Sequence, residues 1–194
     1  MATSWMDSPE GYGRVSRAFH WGMAILFAWQ FAGAILFVSI GDSALTRFVG
    51  GTHFDMGFTL FVLVLLRGGW GLLNMGHRPP HQGTAGKAAV AGHLLLYGMM
   101  IFIPGIALLR QYGTGDAFSP WGIPLMPHRG TKIEWMMAPA NLLHYWLGFA
   151  LLAVVVGHSA MVLLHRVLWR EDVISRMTRG RDAPDAVQRP AALR

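Results

Sequence analysis

Apolar and polar positions separate into four long apolar stretches, about residues 18–40, 54–73, 88–109 and 141–165, divided by shorter polar segments. Each is long enough for a helix to cross a hydrocarbon core of about 30 Å at about 1.5 Å rise per residue. The first, third and fourth contain no Asp, Glu, Lys or Arg; the second holds Asp55 at its start and Arg67 towards its end. The core of a soluble globule accounts for one such run. Four of them in 194 residues leave no surface to dissolve it, so the pattern predicts four membrane helices.

The segments between the stretches carry the turn signals. Residues 41–53 and 74–87 form short connections, and Arg78-Pro79-Pro80 is expected to stop the second helix, since proline cannot continue one. Residues 110–140 are longer and carry Pro120, Trp121, Pro124, Pro127 and Pro139, which predicts a structured cap. Residues 1–177 are expected to form one four-helix domain, and 178–194, rich in Arg, Pro and Ala, a mobile basic cytoplasmic tail.

Composition sharpens this reading. Only 13% of residues are charged, about half of the roughly 25% of a soluble domain, while 53% are hydrophobic. Such apolar content excludes disorder, and the absence of cysteine excludes a disulfide scaffold, a zinc finger, a ferredoxin and a thiol enzyme. The net charge of +6 does not point to nucleic acid, because no basic face interleaved with exposed aromatics is present. The first apolar stretch is too long for a cleavable signal, and Asp7 and Glu10 stand where a basic leader segment belongs. An even number of crossings puts both termini on one side. That side holds Arg14, Arg17, Arg67, Arg78, Lys87 and seven tail arginines, against Arg47, Arg110, Arg129 and Lys132 opposite. Twelve against four predicts both termini in the cytoplasm.

Candidate chemistry lies in the histidines. His77, His81 and His128 fall in connections and read as solvated surface, but His20, His53, His93, His144, His158 and His165 lie in or at the edge of spans. An imidazole at membrane depth is costly and is usually paired, liganding or in a proton path. His144 and His158 are 14 residues apart, so they share a helix face and stand about 21 Å apart along the axis. No small metal ion bridges that separation, whereas two flat cofactors stacked in a bundle do. The arginine-derived topology pairs His20 with His158 at the inner side and His53 with His144 at the outer side. Two axial imidazoles from facing helices, with no Cys-x-x-Cys-His, describe bis-histidine b-type haem, one per pair. Gly22, Gly57 and Gly148, close to these histidines, are candidates for letting a macrocycle approach the backbone; helix packing is the alternative. A transition-metal transporter or sensor is disfavoured, because each pair offers only two protein ligands.

Several local patterns resemble one family. Tyr12-Gly-Arg14, Phe19-His20-Trp21, His53-x-x-x-Gly57 with Arg67, and Gly92-His93-Leu-Leu-Leu-Tyr97 with Pro104 are similar to the first three helices of bacterial cytochrome b561. His144 and His158, then His165 and Trp169-Arg-Glu-Asp172, resemble its end, so the likeness covers about residues 12–177. It implies a membrane di-haem cytochrome with the four ligands above. It further implies electron transfer between the periplasmic face and ubiquinone, either as a superoxide:ubiquinone oxidoreductase or as a relay subunit serving a periplasmic redox partner. His165 matches the position associated with the quinone end, and a histidine there suits proton transfer. Arg67 is expected to pair with a haem propionate or quinone, and His93 to act as a supporting donor. Tyr145 departs from relatives that carry an acidic or polar residue directly after the outer histidine of the fourth helix. The outer connections carry 4 − 3 = +1 net charge (Asp42, Asp116 and Glu134 against the four cations), a weak field for steering an anion. Trp121 and Trp135 suit shielding or partner docking, or ordinary placement at a membrane interface.

Overall fold

The structure is a computed structural model, and it describes residues 5–9, 11–78, 83–168 and 173–178. Six α-helices account for most of them: α1 Arg14–Ile40, α2 Ala44–Gly51, α3 His53–Leu73, α4 Gly83–Thr114, α5 Glu134–Val167 and α6 Val173–Thr178. Among the described residues there is no β-sheet. Four helices are long and apolar enough to cross a membrane: α1, α3 with the preceding α2, α4 and α5. The chain is an all-α membrane protein built on a four-helix bundle, as the hydropathy pattern predicts. The mobile-tail expectation for 178–194 lies outside the described residues beyond Thr178.

Each span runs past its apolar core. α5 starts at Glu134 and ends with His165 and Arg166 in its last turn, charges that complement the helix dipole at both ends. Residues 41–53 hold more than a connection: Ser43 and Thr46 form a reciprocal capping box that starts α2. α3 ends at Leu73, as the apolar stretch predicts, ahead of the Arg78-Pro79-Pro80 signal. Its cap is Asn74, followed by a single 3-10 turn at Met75–His77, while Pro79, Pro80 and His81 lie outside the described residues. Asn74 is fully buried and its side chain donates to the Trp70 carbonyl at 2.9 Å, so a capping hydrogen bond closes the helix before proline is reached.

The long outer connection is a structured cap, as its prolines predict. Phe118 and Met126 bridge it internally. Trp121, with φ 52°, hooks it onto α3 by donating from its backbone to Asp55 Oδ1 at 3.3 Å and from its indole to Thr59 Oγ1 at 2.8 Å. At the other end, a clasp joins the terminal segments. Asp7, whose side chain is fully buried, accepts from Gly13 N at 2.9 Å and pairs with Arg78 Nε at 3.1 Å, while its own N–H donates to Asn74 Oδ1. Arg17 and Trp21 of α1 donate to the Thr178 and Met177 carbonyls of α6.

The core joins all four spans through Met23, Leu60, Val64, Leu96, Met100, Ile103 and Leu151. α4 and α5 pack most closely, and α3 packs against α1 and α4. α5 makes few close backbone approaches to α1 or α3. It meets them through side chains, Leu151 in the core and histidines at two levels.

Candidate cofactor site

His20 sits in the second turn of α1 and His158 in the last third of α5; their ring centres are 6.5 Å apart with planes at 61°. His53 opens α3 and His144 lies on α5 at the other end of the bundle; these rings are 6.0 Å apart at 77°. Two imidazoles each bound through one nitrogen at about 2 Å from a shared metal place their ring centres about 6 Å apart. Both pairs have that spacing, on helices whose backbones stand off from one another. Bare-metal coordination is a poorer fit, since no group of three or more His, Cys, Asp or Glu able to hold an ion occurs among the described residues.

The surroundings differ between the two pairs. His144 Nδ1 is buried and has no hydrogen-bond partner among the described residues. An imidazole that gives its other nitrogen to a metal commonly sends this N–H to a carbonyl, which fixes ring and tautomer. Gly148, one turn beyond His144, leaves open space where a Cβ would stand, as close approach of a flat group requires. Gly57 instead sits against Gln30, whose amide donates to the His53 carbonyl at 3.0 Å. Gly22 lies two residues from His20 and so points about 200° away. It lines an open apolar groove of about 450 Å³ with Trp5, Arg14, Phe19 and Leu63.

The inner pair has two further neighbours. His93 of α4 lies 5.3 Å from the His158 ring at 80°, with its Nδ1 2.7 Å from the Ala89 carbonyl. That ring spacing is too short to admit a macrocycle, so His93 takes the place of a supporting group. Arg67 of α3 sets Nη2 3.3 Å from His20 Nδ1 and rests over the Tyr97 ring at 5.5 Å. His165 is half-buried in the last turn of α5, two helical turns beyond His158. Beside His144, Tyr145 is half-exposed and packs on Trp146 and Phe149.

Two features escaped sequence reasoning. Asp7 entered it only as an acidic residue out of place in a leader, yet it anchors the terminal clasp. The pairing of Arg67 with His20 joins residues 47 positions apart, which no local motif reveals.

Fold and site together define a class: a membrane-embedded helical bundle carrying two stacked histidine pairs spaced for flat axial-ligand cofactors. The chain belongs to the prokaryotic cytochrome b561 family, whose model matches residues 11–180. It is 29% identical over 183 residues to cytochrome b561 homolog 2 of Escherichia coli (strain K12), covering 90% of this chain and 94% of that protein. The family makes this a multi-pass bacterial membrane cytochrome, and implies haem b and electron transfer.

Proposed function

We propose that this chain is a di-haem b cytochrome of the bacterial inner membrane that moves electrons between the periplasmic face and the ubiquinone pool. His20 and His158 ligate the inner haem, and His53 and His144 the outer one. The observation that carries the reading is the pair of 6.5 Å and 6.0 Å imidazole spacings at two heights on one helix. Haem b, when bound, supplies a one-electron iron couple with no open coordination position. The protein orients the imidazoles and their neighbour His93, whose Nδ1 lies 2.7 Å from the Ala89 carbonyl, and keeps water away with its apolar core.

Quinone reduction takes two electrons and two protons. In this reading His165, in the last turn of α5, transfers protons to a quinone at that surface, and Arg67 of α3 supplies positive charge. At the outer face, the resemblance points to superoxide as donor: two superoxide anions each lose one electron to give oxygen, and ubiquinone becomes ubiquinol.

A second reading, a relay subunit serving a periplasmic redox protein, is favoured by a specific observation. The outer cations are nearly balanced by acids: Arg47 pairs with Asp42 at 2.9 Å, and Asp116 and Glu134 bring the net charge of these connections to 4 − 3 = +1. Little free positive field remains to steer an anion, while Trp121 and Trp135 present exposed apolar surface.

A reduced-minus-oxidised spectrum of the pure protein, with haem counted per chain, tests the core of the proposal. Two bis-imidazole haems are expected, with one lost in the His53→Ala or His144→Ala variant and the other in His20→Ala or His158→Ala. A chain purified with no haem band, or with haem indifferent to all four replacements, overturns it. Rapid ubiquinone reduction by superoxide in the isolated protein supports the oxidase reading; strict dependence on an added periplasmic partner replaces it with the relay.

A further inference from the structure

The groove against the first half of α1 has a volume of about 450 Å³, within the roughly 300–1,000 Å³ of ligand pockets. Trp5, Arg14, Phe19, Gly22 and Met23 line it together with Leu63 of α3. Gly22 keeps it open, since a Cβ there would meet nothing within 4 Å. From Arg14 to Met23 the lining follows α1 for nine residues, about 13 Å at about 1.5 Å per residue. That is close to one leaflet, half of a hydrocarbon core of about 30 Å.

The chemistry changes along that length. Arg14 opens α1 at the shallow end, exposed, with its guanidinium 5.9 Å from the Trp5 ring centre. A tight reversal at Gly13, where a Cβ would collide with the Trp5 and Met6 carbonyls, folds Trp5 back to that end. Among the described residues no carboxylate pairs with Arg14, and Asp7 is already held by Gly13 N and Arg78. The first turn of α1 has no acidic residue, so the positive end of the helix dipole adds to the arginine. Deeper in, Phe19, Gly22, Met23 and Leu63 present only apolar surface.

We propose that this groove binds one anionic phospholipid, its phosphate on Arg14 and an acyl chain lying along Phe19, Gly22 and Leu63. A cation above an apolar slot of one leaflet's depth complements that amphiphile at both ends. A quinone fits less well: it carries no charge for Arg14, and the deeper side chains offer its ring no hydrogen-bond donor. The leaflet is the one that the arginine distribution predicts to be cytoplasmic, where anionic lipids draw basic residues to the surface. The site does not depend on the haem assignment.

Native mass spectrometry of the full-length holoprotein in detergent, titrated with phosphatidylglycerol or with phosphatidylcholine of equal chain length, tests it. One phosphatidylglycerol is expected to bind about fivefold more tightly than phosphatidylcholine, the effect of one arginine at a membrane surface. Arg14→Gln should remove that preference. Ala18→Phe, at an exposed position lining the groove, should weaken both lipids and abolish the preference, with haem content unchanged in both variants. A preference that survives Arg14→Gln, or lipid binding indifferent to Ala18→Phe, overturns the inference. Ubiquinone displacing the bound phosphatidylglycerol one for one overturns it too, and gives the groove to the quinone. Should Arg14→Gln fail to fold, Ala18→Phe decides alone, since a preference retained there puts the lipid elsewhere on the protein.

Discussion

Asp7 shows how much a single buried carboxylate does at the terminal end. Its two oxygens take a backbone N–H and the Arg78 guanidinium, and Arg78 in turn rests against Gly71 and over Tyr12. Removing one partner of a buried pair leaves the other uncompensated, typically at 3–5 kcal/mol, and less where, as for Arg78, one partner is partly exposed. Asp7→Ala is expected to cost about 2–3 kcal/mol. Thermal unfolding in detergent should register it, and limited proteolysis should now cut ahead of α1. Tyr12 adds a pH dependence. Burial, the largest influence, holds its phenol above the ordinary value of 10.0 despite nearby Arg78. The neutral form is thus favoured in the folded clasp. Its contribution is intact below about pH 10 and is lost as pH rises through the folded value. The clasp should therefore open at alkaline pH, seen as faster proteolysis near residues 5–13. Tyr12→Phe should blunt that pH response; an identical response in the variant would assign it to other groups.

Among the elements, α4 and α5 set the outer site through their closeness. At Gly113 a Cβ would stand 2.8 Å from Met136 Cβ and 3.2 Å from the Ile133 carbonyl, so only glycine lets the helices approach there. About two turns further along α5 from Met136, the same helix pair carries His144 with its buried Nδ1. Overpacking of this kind costs about 1–3 kcal/mol. Gly113→Ala is expected to push α5 off α4 at that end. Its signature is weaker retention of the outer haem with the inner haem unaffected, read by haem content after detergent washing. Equal loss of both haems would show that the contact steadies the bundle as a whole. Helix existence was legible from sequence because an uncharged apolar stretch of this length has few other fates. Helix ends were not: α2 and the Asn74 cap rest on local polar hydrogen bonds that hydropathy does not register. The histidine pairs were legible because helical period and crossing direction convert residue number into face and depth. The Arg67–His20 contact and the clasp were hidden because they depend on how separate segments meet.

For the whole molecule, the distribution of cations decides how the bundle sits. The clasp end gathers Arg14, Arg17, Arg78 and Arg176 around paired segments, with further arginines beyond Thr178, whereas the outer cap spends its cations on Asp42, Asn141 and Tyr112. Basic residues flanking membrane helices are retained on the cytoplasmic side, and acidic ones count for little, so the twelve-to-four imbalance sets orientation regardless of net loop charge. That imbalance predicts the His20–His158 pair, Arg67 and His165 towards the cytoplasm and the Trp121 cap outside. A fluorescent protein fused after Arg194 should then mature and fluoresce, while alkaline phosphatase inserted between Gly122 and Ile123 should be active. Inactive phosphatase with a dark fusion would invert the bundle, exchange inner for outer site, and put the proposed quinone-facing residues on the periplasmic side.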